Sequence, residues 1–347
     1  MYPARLWHVE GEGLSAGQRV RCDLCAHRCL ISEGKRGLCG VREVRGGELC
    51  TLVYGTLVAQ DVDPIEKKPL FHFHPGSLAL SIATEGCNLS CTFCQNADIS
   101  QSVKDGRLRR GQYVEPEQVV AAAERTGSAS IAYTYTEPTV FFEYSLDVCR
   151  LAHEHHLANI YVSNGYMTSE MLDLVTTSDG PPLVDAANID LKAFTDAFYR
   201  KQCGARLQPV LDSLVRLKER RVWVEVTTLV IPGLNDSDGE LRDIAMFIQM
   251  ALGSDTPWHV SRFLPTYRLL DRPPTPVETL LRARDIGLEA GLHYVYTGNI
   301  PGQGGEDTLC PACGATIIAR SGYALHFRSL RGGCCEVCGT AIAGIGM

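Results

Sequence analysis

The sequence predicts an α/β protein built on parallel strands, with a small cysteine-rich module at each end. Three observations carry this reading. Short apolar runs alternate with helical patterns about six times through the middle of the chain, and strand–helix–strand repeats imply parallel strands joined by right-handed crossovers. The 15 cysteines of the 347 residues fall into three groups separated by long stretches. Hydrophobic residues make up 45% of the chain and mean hydropathy is −0.03, enough for a packed core. A doubly wound sheet and a complete or partial barrel both satisfy the alternation. The expected domains are 1–75, a cysteine-rich module with its connector; 76–300, the α/β core; and 301–347, a linker and a second cysteine module.

Taken in order, residues 1–50 are rich in Gly, Arg and Cys and show little periodicity until Glu48–Val58. Asp63–His74 carries Pro64, Lys67, Lys68, Pro69, His72 and His74 and reads as a solvated connector rather than a docking surface. Leu78–Thr84 is the first strand, an apolar run that ends at Glu85-Gly86. The next strands are Ser130–Tyr135, Asn159–Ser163, Leu183–Leu191, Trp223–Val230, Trp258–Phe263 and His293–Tyr296. Helices are expected between them, over Glu117–Thr126, Thr139–His155, Ser169–Thr176, Leu207–Arg220, Asp238–Leu252 and Pro276–Ala290. Thr136 before Glu137 and Pro138 is a helix-start pattern in its own right. The polar, Gly-rich run from Pro301 to Asp307 reads as a linker.

Charge and composition exclude several functions. A formal net charge of −7 argues against a broad phosphate-binding surface, so nucleic acid is not an expected partner. No apolar run approaches the roughly 20 residues that span a bilayer. Met1–Glu10 has no apolar signal core, and so many cysteines without a signal point to metal binding in a reducing, cytoplasmic setting.

The central cysteine group reads Cys87-Asn-Leu-Ser-Cys91-Thr-Phe93-Cys94. A [4Fe–4S] cube normally takes four thiolates. Three thiolates leave one iron open to a chelating cofactor, and closed structural zinc sites prefer four ligands in two separated pairs. The loop follows the first strand, so it lies at the carboxyl ends of the strands, where α/β proteins bind ligands. Cys310, Cys313, Cys335 and Cys338 form two C-x-x-C knuckles, each followed by glycine. This is a zinc-ribbon or rubredoxin-like pattern with a structural role expected, zinc ahead of iron. Cys334 adjoins Cys335, but Cys335 completes the C-x-x-C pair. Cys22, Cys25, Cys29 and Cys39 suit either an auxiliary [4Fe–4S] cluster or zinc, with His27 able to replace one thiolate in a zinc site. Cys50, Cys149 and Cys203 lie in apolar or helical contexts and read as small hydrophobes.

The C-x-x-x-C-x-x-C loop, with Phe93 before its third cysteine, resembles that of the radical S-adenosylmethionine (SAM) superfamily. The resemblance implies a partial (β/α)6 TIM-like barrel of the radical SAM type. It also implies a cluster whose open iron is chelated by SAM, and reductive cleavage of SAM to a 5′-deoxyadenosyl radical that takes hydrogen from a substrate. Tyr133-Thr-Tyr-Thr136-Glu137-Pro138 looks like a variant of the superfamily's Gly-Gly-Glu motif, which implies Thr136 and Glu137 at the methionyl ammonium. Ser163-Asn164-Gly165 resembles its Ser/Thr-Asn-Gly turn. Asp190-Leu-Lys192 resembles a segment of glycyl-radical activases in which the lysine lies beside the cofactor. By the same resemblance, His259 would meet the ribose and Asn299 would close the pocket, near Arg262 and the loop Val230–Asp236.

Over nearly the whole chain, the order of modules resembles the AmmeMemoRadiSam system radical SAM enzymes, relatives of the pyruvate-formate-lyase activating enzymes. Glu66-Lys-Lys-Pro-Leu70 and the closing Cys-Gly-Thr-Ala-Ile-Ala-Gly carry this narrower likeness. It implies Memo-like and AMMECR-like partners and an electron donor such as ferredoxin or flavodoxin. It implies a small-molecule or protein-bound substrate that it does not name. A glycyl-radical-enzyme activase is the alternative within this chemistry, and a non-enzymatic zinc-ribbon binding protein the more distant one.

Overall fold

The computed structural model describes residues 1–10, 19–105, 111–176, 180–300 and 302–347; Pro301, the start of the expected linker, lies outside them. Seven parallel strands follow one another in chain order: Leu78–Thr84, Ser130–Tyr133, Ala158–Ser163, Ala186–Asp190, Trp223–Val230, Trp258–Arg262 and Val295–Gly298. Each lies beside its sequence neighbours; Tyr133, for example, stands opposite Ile82 on one side and Tyr161 on the other. Thr56–Pro64 adds to the first strand antiparallel, with Asp61 opposite Ser81, and Gln112–Tyr113 flanks it, giving a mixed nine-stranded sheet. Among the described residues the two edge strands do not pair, so the ladder stays open.

Alternation along the strands builds two cores. One face packs Leu80, Ile82, Ile131, Tyr133, Val224 and Val226 against the helices. The other turns the small residues Ala79, Ala132 and Ala186, with Ile160, toward Ile65, Leu70 and Phe73. Small side chains there admit the 65–73 segment against the inner face. Three helices begin at caps written in the sequence. Glu115 and Gln118 form a capping box before Pro116–Arg125, Thr168 caps Ser169–Val175, and Ser237 caps Asp238–Phe247. The pattern read as one helix to Leu252 relaxes into a π-helical turn over Ile248–Leu252. Among the described residues, no helix is long and apolar enough to cross a membrane.

The 63–74 segment is not the solvated connector its charges suggested. Lys68, Glu66 and His72 are buried. Lys68 Nζ bonds Asp63 Oδ2 at 2.5 Å and lies over the Tyr135 ring, while Glu66 faces Arg320. Each buried charge has an opposite partner, which is the condition for burying it. His72 lies within 2.6 Å of the Tyr296 hydroxyl and 2.7 Å of the Ala343 carbonyl, tying the C-terminal module to the main sheet.

The N-terminal module shares the main core through Val20, Leu24 and Val41. Its Arg42 pairs with Glu143 at 2.9 Å on the helix Phe142–Glu154, both side chains buried. The C-terminal hairpin Thr316–Ser321/Ala324–Arg328 and the strand Thr308–Leu309 form a separate sheet. Its core, with Ile317, Ile342 and Cys310, joins Phe71 of the 63–74 segment and Tyr294 and Tyr296 at the seventh parallel strand.

Candidate functional site

The radical-type loop leaves the first strand through Gly86, at φ +101° and packed against Val41 and Cys39. It carries Cys91 buried, with Cys87 and Cys94 half-buried. Donors turn toward the sulfurs: Leu89 N–H to Cys87 at 3.4 Å and the Asn164 side-chain amide to Cys87 at 3.7 Å. The Ser100 hydroxyl lies 3.2 Å from Cys94. Burial pushes the Cys87 and Cys94 thiols up. The trio senses one another electrostatically through Cys91.

The backbone of the loop is pinned from two sides. Ser90 and Thr92 N–H groups donate to the carbonyls of Cys203 and Gln202 at 2.8 and 2.9 Å, and Arg268 N–H donates to Thr92 O at 2.9 Å. The π-helical turn Tyr199–Cys203 thus packs directly on the loop. It brings the buried Cys203 thiol against Cys91, where their hydrogen bond, with burial, raises the Cys91 thiol well above its usual range. Cys203 was read as an ordinary small hydrophobe; it is buried, but its place is beside the cluster loop. Nothing in its local sequence pattern marks that contact, which depends on tertiary packing.

Four strand ends converge here. Glu137, after the second strand, is 1% exposed. Its Oε1 accepts from Thr139 N–H, Thr139 Oγ1 and Ser163 Oγ at 3.1, 2.6 and 2.7 Å, and its Oε2 accepts from Asn164 N–H at 2.9 Å. The carboxylate therefore caps the following turn and fixes the Ser163–Gly165 corner at the third strand's end. Asn164 extends from that corner to Cys87 and to Asn88 Oδ1 at 2.7 Å. Thr136 donates to Thr84 O at 2.8 Å, joining the first two strand ends.

At the fourth strand's end, Lys192 Nζ bonds Asp190 Oδ2 at 2.7 Å and lies 5.8 Å from the centroid of the buried Phe93 ring. Burial opposes the lysine's charge, but the Asp190 carboxylate beside it keeps it protonated. Asn235, in the loop after the fifth strand, donates to Lys192 O at 2.7 Å and fixes the turn. Asn299 follows the seventh strand, exposed, donating to Ser261 Oγ at 2.9 Å. An open groove of about 490 Å³ runs beside Cys94, lined by Gln95, Asp98, Gln101, Thr266 and Tyr267.

His259 does not join this group. It is the second residue of the sixth strand, at the opposite, amino-terminal end of the sheet. There it lies 2.7 Å from Glu225 Oε2, and that carboxylate also accepts the N–H groups of Phe71 and His72 at 3.0 and 2.8 Å. With its ring against Phe71 and Tyr296, His259 closes the bottom of the sheet rather than facing a ribose. Arg262, the last residue of the same strand, donates Nε–H to Thr275 O at 2.9 Å.

The C-terminal knuckles do converge. The Sγ atoms of Cys310, Cys313, Cys335 and Cys338 all lie within 4.8 Å of one another, with Cys310–Cys338 at 3.5 Å and Cys313–Cys335 at 3.8 Å. Gly314 and Gly339 take φ of +73° and +76°, closing each knuckle with an N–H bond back to Cys310 O and Cys335 O. Cys335 belongs to the group, while the neighbouring Cys334 thiol turns to Gly332 O. Cys338 Sγ lies 3.2 Å from Thr340 Oγ1; contact with Thr340 lowers this thiol while the neighbouring Cys313 thiol is raised, as closely grouped thiols do.

The model of the radical SAM superfamily matches residues 81–245, a span that opens in the first strand and contains the three-cysteine loop, Glu137, Asn164 and Lys192. An uncharacterised protein of Methanocaldococcus jannaschii is 46% identical over 302 residues, covering 87% of this chain and 88% of its own. Among solved structures, a radical SAM methyltransferase from Sphaerobacter thermophilus is similar at 18% identity and a TM-score of 0.50, over 65% of this chain and 67% of its own. Streptococcus suis SuiB, solved with its precursor peptide SuiA, is similar at 13% identity and a TM-score of 0.51, over 69% and 52%. The two structural likenesses concern the fold.

Proposed function

This chain belongs to the radical SAM superfamily, and from that premise we propose that Cys87, Cys91 and Cys94 hold a [4Fe–4S] cluster completed by SAM. When bound, these groups supply an electron and a 5′-deoxyadenosyl radical able to take hydrogen from a substrate. The observation that carries the proposal is three buried or half-buried thiols on one loop, with N–H donors turned to Cys87, a hydroxyl at Cys94 and Lys192 close by. The trio's chemistry fits an iron–sulfur cube: thiolates in a dry site, each sulfur or its neighbour met by a donor.

The chain's own residues then divide the work. Lys192, held by Asp190 and Asn235, offers a fixed positive charge for the methionyl carboxylate. Phe93 packs under the lysine and keeps water from the loop. Glu137 orders the corner that aims Asn164 at Cys87, and Thr136, with Ser163, lines the same rim. Asn299 stands at the far side of that rim. A ferredoxin- or flavodoxin-type donor would supply the electron. The four C-terminal thiols are proposed to hold a structural zinc, because their spacing matches a closed tetrahedral site and the module's own core is small. The narrower kinship with AmmeMemoRadiSam enzymes rests on the sequence likeness, and it leaves the substrate to be found.

Anaerobically reconstituted, dithionite-reduced protein should show an electron paramagnetic resonance signal that changes on adding SAM, with a weaker response in Lys192→Met at equal iron content. A reduced cluster signal indifferent to saturating SAM would refute the open-iron reading.

A further inference from the structure

The N-terminal thiols have no part in the site above. Cys22 ends the strand Arg19–Cys22, Cys25 and Cys29 lie on the turn that follows, and Cys39 closes a loop ahead of Arg42–Arg45. All four line one hollow, whose wall also includes Leu24, His27, Ile31, Arg42 and Val140. The thiols interact electrostatically with one another, Cys25 with the other three.

Two features distinguish this group from the C-terminal one. A zinc ion about 2.3 Å from each sulfur draws tetrahedral thiolates to roughly 3.8 Å of one another. The C-terminal thiols meet that spacing. Among the described residues, the N-terminal thiols form no such tight group and instead surround the hollow. A cube takes one thiolate at each of four corners, with iron and sulfide filling the space between.

The second feature is Arg42, whose guanidinium is 1% exposed and lines the hollow. Its Nη2 donates to Glu143 Oε1 at 2.9 Å and to Arg5 O at 2.6 Å. Its Nε and Nη1 are buried without a hydrogen-bond partner. Buried guanidinium donors left unpaired are costly, and a four-thiolate cluster, which is anionic with inorganic sulfur at its surface, accepts such donors. Glu143 Oε2 is also buried without a partner, and bidentate pairing with it would satisfy one of these donors and leave the other free. His27 lines the same hollow and donates Nε2–H to Asn88 O at 2.8 Å, which ties this module to the radical loop.

We propose that Cys22, Cys25, Cys29 and Cys39 hold a second [4Fe–4S] cluster, closed by four thiolates, with Arg42 donating its free N–H groups to the cluster's sulfur. The module abuts the radical loop: Cys39 O lies 3.2 Å from where a Cβ on Gly86 would sit, and His27 grips Asn88. The second cluster therefore stands next to the first.

The experiment is metal and sulfide analysis of full-length protein made anaerobically, beside a Cys87→Ala/Cys91→Ala/Cys94→Ala variant. The variant is expected to keep about four iron and four sulfide per chain. A variant with no iron, and with zinc in excess of the C-terminal site, would overturn the proposal. Wild-type iron equal to the variant's would instead sink the radical-loop reading and leave this one standing, so the two failures are distinguishable. In the triple-alanine background, Arg42→Lys keeps the charge and loses the fork of donors. It should lower the midpoint potential of the retained cluster without loss of iron. An unshifted potential would remove Arg42 from the site, and zinc would give no potential to measure.

Discussion

Replacing Glu137 by glutamine tests whether an ionised carboxylate holds the cofactor corner. The side chain keeps its shape but retains one acceptor oxygen. Three donors meet Oε1 and one, the Asn164 N–H at 2.9 Å, meets Oε2. The favoured amide orientation keeps its oxygen toward Thr139 and Ser163, which sets an NH2 group against the Asn164 N–H. A buried donor left unpaired costs about 1–3 kcal/mol, and the loss of charge assistance adds to it. Relief of the burial that pushes the Glu137 carboxyl up offsets part of this. The expected net destabilisation is about 1–3 kcal/mol. Anaerobic urea unfolding of reconstituted Glu137→Gln at pH 7 should show a lower midpoint at unchanged slope. If Glu137 were protonated in the fold, glutamine would reproduce its donor and acceptor pattern. An unchanged or raised midpoint would therefore refute the reasoning.

Other perturbations follow from the same contacts. Gly86→Ala would place a Cβ 2.7 Å from Val41 Cγ1 at a φ of +101°. It should cost about 1–3 kcal/mol and lower the iron retained after gel filtration, whereas Gly127→Ala, with open space around it, should keep its iron. Burial lowers His72 from 6.5 to about 4. The unfolded chain accepts that proton first, so stability is full above about 6.5 and falls as pH drops toward about 4, by on the order of 3 kcal/mol; His72→Gln should flatten that part of the pH–stability curve. Cys338→Ser should release the bound metal and lower the melting temperature by loosening the module seated on Phe71, Tyr294 and Tyr296, as read by zinc content and calorimetry.

The seven parallel strands were legible because each is a short apolar run set between helical patterns or turns; Leu78–Thr84 and Trp223–Val230 are found at the bounds their patterns suggest. The cysteine spacings announced three metal-type groups, and the closing knuckles converge as two C-x-x-C pairs should. What stayed hidden depends on partners far away in sequence. Asp63–His74 looked solvated because its charges are visible in the sequence while Arg320, which faces Glu66, stands some 250 residues on. His259 was assigned to the wrong rim because a strand's sequence does not reveal which of its ends bears a ligand until its register is known. Cys203 reached Cys91 through a π-helical turn that no local periodicity signals.

The account depends on Cys87, Cys91 and Cys94 presenting a reducible cluster to SAM. The most direct measurement is quantification of 5′-deoxyadenosine released from SAM by anaerobic, reduced protein, beside Cys91→Ala with its other metals intact. Release by the wild type and none by the variant is the predicted result. Equal traces from both, with the iron of the central loop shown to be present in the wild type, would contradict it.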